Sequence, residues 1–204
     1  TDHHRVIANG DYSQRDPRYR TFVARLADAG RHAVVATAWD EVITLIVEPG
    51  VALSTMYAPD TYSARWLGVQ LRGTNADAYF EHLNDVDAAG HATGFSPSNP
   101  DYIRAIEGCD ANTGTMLDAV LSRGTVASED WLFVLTTDHG GNGTGHGPMD
   151  AANQTIWFVA AGTGVRAGVL PAGVNHMDTA ATVLTWFGVA LDPAWGIQGV
   201  PRGM

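Results

Sequence analysis

The 204-residue sequence predicts an α/β fold, a three-layer α/β/α sandwich whose mainly parallel sheet is covered by helices on both faces. Two observations predict this fold. Short apolar runs rich in β-branched residues alternate along the chain with longer stretches of helical periodicity. Hydrophobic residues make up 45% of the chain, which allows a substantial core. The length suits a single domain over residues 1–204, although folds of this kind usually run longer.

The first half of the chain opens with a helix and a strand. The helix is predicted over residues 21–29 and ends at Gly30, because glycine is common just past a helix C-terminus. The run HAVVATA that follows has the β-branched residues typical of a strand. The predicted segments are, in order, a strand at 32–38, a helix at 40–47 and, within the poorly patterned stretch 48–76, a helix near 62–71.

The second half contains a long helix and further strands. Apolar residues recur at helical spacing from about Asn99 to Ser122, with Pro100 suited to the first turn and Gly124 just past the end. The continuous apolar run WLFVLTT at 131–137 is expected for a strand inside a parallel sheet. Further strands are predicted at 78–84 and 155–161, and a last helix at 178–187.

Charge and composition narrow the possible partners. The net charge is −10, from 22 acidic and 12 basic residues, which disfavours nucleic-acid polymers and anionic membranes as partners. The chain has no apolar run of about 18 residues, so no membrane segment is predicted. Because the chain begins with Thr1 rather than Met, we expect its true N-terminus to be missing, and the absence of a signal peptide does not indicate a compartment. The sequence does not indicate an oligomeric state.

The first candidate metal-binding motif is DAAGH, in which Asp87 and His91 are four positions apart. Gly90 permits a tight backbone turn, so the carboxylate and the imidazole can converge on one ion. Taken alone this motif is weak, because short D-x-x-G-H patterns arise by chance.

Two further motifs follow the apolar strand at 131–137. Asp138 and His139 come directly after it, and the alternative interpretation is a strand-terminating turn capped by the aspartate. His146 lies between two glycines, where the alternative is a solvated loop residue. Together, two carboxylates and three imidazoles at strand ends favour Zn²⁺, or Mn²⁺ or Fe, over Ca²⁺ and Mg²⁺. The candidate metal ligands are Asp87, His91, Asp138, His139 and His146.

In this order the motifs resemble the alkaline phosphatase superfamily, and in particular its type I phosphodiesterase/nucleotide pyrophosphatase family. The similar segments are DVDAAGHATG at 85–94, YIRAIEGCDANTGTMLDAV at 102–120, LTTDHGGNGTGHG at 135–147 and VNHMDTAATVLTWFGV at 174–189. Ala181 stands where the family usually has proline in the last of these segments. The resemblance extends over nearly the whole chain, and its middle motifs are the most specific.

The resemblance implies a role for each ligand. Asp87, His91 and His146 correspond to one complete zinc site, whereas Asp138 and His139 correspond to half of a second. The missing half is an aspartate that ends the first strand and a Thr or Ser nucleophile at a helix N-terminus. Both are expected upstream of Thr1, so no catalytic nucleophile is assigned here, and one well-formed zinc site is expected. His176 is the alternative to His146 as the third ligand of the complete zinc site.

The function implied is metal-dependent hydrolysis of phosphodiester or pyrophosphate bonds in small, nucleotide-like substrates by a binuclear zinc site. Alternatives on the same fold are a phosphonoacetate hydrolase-like or phosphomonoesterase activity. A third is a truncated protein that binds metal without turnover. The resemblance favours a periplasmic or secreted location.

Overall fold

The computed structural model describes residues 11, 16, 18–147 and 149–204. Its helices and strands are α1 (Phe22–Asp28), β1 (Ala33–Thr37), β2 (Ala52–Met56), α2 (Asp60–Gly73), β3 (Ala78–His82), α3 (Asp85–Thr93), α4 (Pro100–Leu121), β4 (Leu132–Thr136), α5 (Ala151–Gln154), β5 (Phe158–Gly162) and α6 (Asp178–Trp186). A π-helical turn spans Val42–Ile46, and 3-10 turns span Val126–Ser128 and Pro193–Trp195. Every predicted helix and strand has a counterpart, while β2, α3 and α5 were not predicted.

The first sheet is parallel and has the strand order β2-β1-β3. Ala33 of β1 lies opposite both Ala52 and Ala78, so the three strands start at the same level. All five residues of β1 are buried, as expected for the central strand of a covered parallel sheet. The prediction of an α/β fold with a parallel sheet is confirmed at this level.

Side chains of β1 alternate between two apolar clusters on opposite faces of the sheet. Val34 and Ala36 pack with residues of α2 and α4. Ala33 and Val35 pack with Val23 of α1 and with the turn that contains Val42. Helical segments therefore cover both faces of β1, and this arrangement is compatible with a three-layer sandwich.

The strands β4 and β5 form a separate, antiparallel sheet of two strands. Leu132 lies opposite Gly162 and Thr136 opposite Phe158. The expectation that residues 131–137 lie inside the parallel sheet is therefore wrong. The physical reason is the connection. A parallel pair needs a crossover that is usually a helix long enough to pack on the sheet, and among the described residues between β4 and β5 the only α-helix is α5, with four residues. Within the described residues, no ladder joins the two sheets.

The long helix α4 begins as its sequence predicts. The Asn99 side chain accepts a hydrogen bond from the Asp101 backbone N–H at 3.0 Å, and Pro100 occupies the first turn. The helix packs against α2 through Ala119 and Val120. Among the helices of the described residues, none is long and apolar enough to cross a membrane.

Candidate metal centre

The helix α3 carries two of the predicted ligands, Asp87 and His91. Residues four positions apart lie one above the other on a helix, so both side chains project from the same face. The start of α3 is held by Asp60 at the N-terminus of α2, a fully buried carboxylate that accepts the backbone N–H groups of Asn84 at 2.7 Å and Asp85 at 2.8 Å. The position of the two ligands thus depends on a buried anchor outside the motif.

Gly90 does not form the predicted turn. It lies inside α3 and its φ is not positive, so the expectation of a turn is wrong. The helix itself brings Asp87 and His91 together. Glycine is required here for a different reason, since a methyl group at this position would overlap the ring of Phe95. The motif therefore encodes a close approach of an aromatic ring to the helix.

The other three predicted ligands lie in the loop that follows β4. Within it, a small bridge pairs Asn142 with Gly145 and folds the chain back, so that His146 returns toward His139. Asn153 of α5 holds both ends of this loop. Its backbone carbonyl accepts the Gly140 N–H at 2.8 Å, and its side-chain oxygen accepts the Gly147 N–H at 3.1 Å.

Asp87 lies at the centre of the cluster. Its Oδ2 is 3.4 Å from Nε2 of His91, and its Oδ1 is 3.6 Å from Nε2 of His146. The same Oδ1 is 4.0 Å from Nε2 of His139. One ligand atom from each of Asp87, His91 and His146 lies within 4.8 Å of the others, which is close enough to hold a single metal ion.

Backbone carbonyls orient two of the imidazoles. Nδ1 of His91 lies 2.9 Å from the carbonyl oxygen of Thr144, and Nδ1 of His139 lies 2.8 Å from that of Gly140. A carbonyl only accepts, so Nδ1 must carry the proton in both rings. In the neutral rings, the Nε2 lone pairs are then left facing Asp87. Such a carbonyl on the far nitrogen is the usual support of a histidine that binds metal.

The electrostatics of the cluster call for a cation. Oδ1 of Asp87 is buried, and among the described residues it has no hydrogen-bond partner. Neutral imidazoles that turn lone pairs toward a carboxylate repel it unless a proton or a metal ion lies between them. Burial and the neighbouring His139 lower the pKa of His146, whose ring stacks on that of His139 at 3.7 Å. The neutral form favoured there is the form that binds metal.

Asp138 lies at the outer side of the cluster, with 60% of its side chain exposed. Its Oδ2 is 3.4 Å from Nε2 of His139, so this imidazole nitrogen faces Asp87 on one side and Asp138 on the other. The structure thus places the two predicted pairs next to each other. His146, rather than the exposed His176, belongs to the group of possible ligands.

Three residues that support the cluster were not predicted from the sequence. They are Asp60, which anchors α3, Asn153, which ties the loop, and Phe95, whose ring approaches two of the imidazoles. The Asp150 cap of α5 is a recognisable helix-start signal that could have pointed to the short helix of Asn153. Nothing in the local pattern around Phe95 indicates its role.

Neither a scan against models of known protein families nor a search of curated proteins finds a match to this chain. The family resemblance of the motifs therefore stays a prediction.

Proposed function

We propose that this chain is the metal-binding part of a hydrolase for phosphate esters, acting on phosphodiester or pyrophosphate bonds of small, nucleotide-like substrates, on an alkaline phosphatase-like fold. The observation that supports it most is the Asp87 carboxylate, whose two oxygens face three imidazoles and whose buried Oδ1 has no hydrogen-bond partner among the described residues. Three neutral nitrogens and carboxylate oxygens are a donor set suited to Zn²⁺.

The residues divide into two groups in this proposal. Asp87, His91 and His146 hold the first cation, while His139 and Asp138 provide two ligands for a second. A pair of such cations supplies an activated oxygen nucleophile and neutralises charge on the phosphoryl group. The chain's own part is to orient two of the imidazoles, through the carbonyls of Thr144 and Gly140.

The test is to measure zinc content and phosphodiesterase activity on the same preparation. We expect about one tightly bound zinc per chain, from the one complete set of three protein ligands. Metal content is measured after dialysis, and turnover with bis-(p-nitrophenyl) phosphate in the presence and absence of a chelator. A chain that retains no zinc, manganese or iron after loading would contradict the proposal.

A second candidate is a protein that binds metal without turnover. It is favoured by the two-ligand composition of the Asp138–His139 pair, because such a site binds weakly unless further ligands complete it. The same measurement bears on this choice, because chelator-sensitive hydrolysis supports the first candidate and contradicts the second.

A further inference from the structure

The ligands of the proposed metal centre come from two separate pieces of the chain. Asp87 and His91 belong to α3, which follows the parallel sheet, whereas His139 and His146 belong to the loop that follows β4 of the antiparallel sheet. No ladder joins these sheets within the described residues. Something other than sheet hydrogen bonding must therefore hold the two groups of ligands in register.

Phe95 lies where the two pieces meet. It belongs to the connection between α3 and α4, and its backbone N–H donates to the Gly143 carbonyl of the loop at 2.7 Å. Its ring lies against Gly90 of α3 on one side and Gly141 of the loop on the other. A methyl group on either glycine would overlap the ring. Both glycines thus leave the space that this one side chain fills.

The same ring contacts the ligands themselves. Its centroid is 5.5 Å from that of His91 and 6.2 Å from that of His146, both with an edge-to-face geometry. Tyr102 of α4 supports it from behind, with centroids 5.6 Å apart. Edge-to-face contacts of this kind restrict the orientation of both rings.

We infer that Phe95 is a positioning residue, which joins α3 to the loop and sets the angle at which His91 and His146 meet a metal ion. This inference rests on the proposed function, since it presupposes that the cluster binds metal. It predicts that loss of the ring weakens metal binding even though Phe95 donates no ligand atom. The ligands then remain present but lose their shared orientation.

The experiment compares Phe95→Ala and Gly141→Ala with two controls in the full chain. The alanine methyl of Gly141→Ala pushes the ring aside without removing it. Phe22→Ala removes an aromatic ring from the apolar cluster that contains Val23 and Val35, on the face of β1 opposite α2 and α4. Gly108→Ala adds a methyl group in open space on α4. Zinc affinity is measured by competition with a chromophoric chelator, and ligand geometry by the visible spectrum of the Co²⁺-loaded protein.

We expect both site variants to weaken zinc binding on the order of 10–100-fold, as removal of residues that orient metal ligands commonly does. Their Co²⁺ spectra should change, while both controls keep the affinity and the spectrum of the parent chain. If Phe95→Ala does not fold, Phe95→Leu, which keeps apolar volume without a ring, serves in its place and should show the same spectral change.

Two failures can be told apart. A parent chain that binds neither zinc nor Co²⁺ overturns the proposed function and, with it, this inference. A parent chain that binds zinc, with a folded Phe95 variant of equal affinity and identical Co²⁺ spectrum, overturns the positioning role alone.

Discussion

Asp87 is the carboxylate that faces all three imidazoles of the cluster, and it lies at the point where α3 faces the loop. Its two oxygens approach Nε2 of three histidines, whereas Asp138 approaches only His139 and is largely exposed. The family resemblance assigns Asp87 to the complete zinc site and Asp138 to half of a second. The distances add that Asp87 lies among all three histidines.

Exchange of the two aspartates for asparagine therefore should have unequal effects. We expect Asp87→Asn to abolish tight zinc binding, because it removes the negative charge from the middle of three imidazoles. Asp138→Asn should leave the tight zinc in place. Zinc content after dialysis measures both. Equal loss in the two variants would contradict the central position of Asp87, and His176→Ala is a matched control, since His176 is exposed and outside the cluster.

Glu81 carries a buried carboxyl group and belongs to β3, the strand that precedes α3 in the sequence. It accepts a hydrogen bond from Ser63, its other oxygen has no partner among the described residues, and burial raises its pKa to about 8 from an ordinary 4.5. The folded chain thus holds a proton on Glu81 that the unfolded chain releases above pH 4.5. The Glu81 carboxyl group therefore lowers the free energy of unfolding progressively as the pH rises from about 4.5 to about 8.

Glu81→Gln removes this dependence, because an amide of the same shape does not ionise. We expect the variant to be more stable than the parent at pH 8, by at least about 1 kcal/mol, and the difference to shrink toward pH 5. Urea denaturation at the two pH values measures it. A variant that is less stable than the parent at pH 8 would show that the carboxyl group is favourable there.

At the scale of elements, the ion pair between Arg123 and Glu129 connects the end of α4 with the end of α2 and with the segment that leads into β4. Arg123, just past the end of α4, donates to Glu129 at 2.7 and 2.8 Å and also to the carbonyls of Leu71 and Thr74 at the end of α2. Glu129 in turn accepts the indole N–H of Trp131 at 3.0 Å. These bonds lower the pKa of Glu129 to about 2, with the Arg123 hydrogen bond as the first cause.

We expect Glu129→Gln to lower the melting temperature at pH 7 by a few degrees. The carboxylate stabilises the fold above its ordinary pKa of 4.5, and this contribution is lost as the pH falls toward about 2. The melting temperatures of parent and variant should therefore converge between pH 4 and pH 2. Circular dichroism at several pH values tests this. Asp101→Asn, at an exposed ion pair in the first turn of α4, is the control and should change little.

The elements of this fold were predictable where their own periodicity is strong. The long helix α4 has its proline, its cap and its spacing, and β1 contains the β-branched residues Val34, Val35 and Thr37. The strand β2 was missed because its residues are mostly exposed at the sheet edge and carry no clear alternation of apolar and polar residues. The helix α3 was missed because Gly90 was taken as a turn residue, whereas its small size serves the packing of Phe95.

The ligand types of the candidate centre were predictable, but their arrangement was not. The spacing of Asp87 and His91 and the placement of Asp138 after a strand are visible in the sequence. The carbonyl of Thr144 that orients His91, and the Asn153 contacts that close the loop, depend on distant segments meeting in space. Single-sequence patterns contain no signal for such contacts.

At the scale of the whole molecule, a bound metal would link the two sheets. The proposed ligands connect α3, which follows the parallel sheet, with the loop after β4. A ligand that binds only the folded chain stabilises it in proportion to the logarithm of its concentration, by about 2.7 kcal/mol at a concentration 100 times its dissociation constant. Zinc should therefore stabilise the fold as a whole and should act most strongly where the two pieces meet.

For a chain of this size we expect the melting temperature to rise by about 5–10 °C under those conditions. Amide hydrogen exchange should slow in α3 and in residues 139–147 together, because a bridging metal keeps these segments from separating until it is released. Amides of β1 that exchange only on global unfolding should slow by no more than the overall gain in stability. Thermal denaturation and exchange measured by mass spectrometry, with and without zinc, test both parts. Protection confined to one of the two segments would mean that the metal does not bridge them, and His91→Ala should abolish the effect in both.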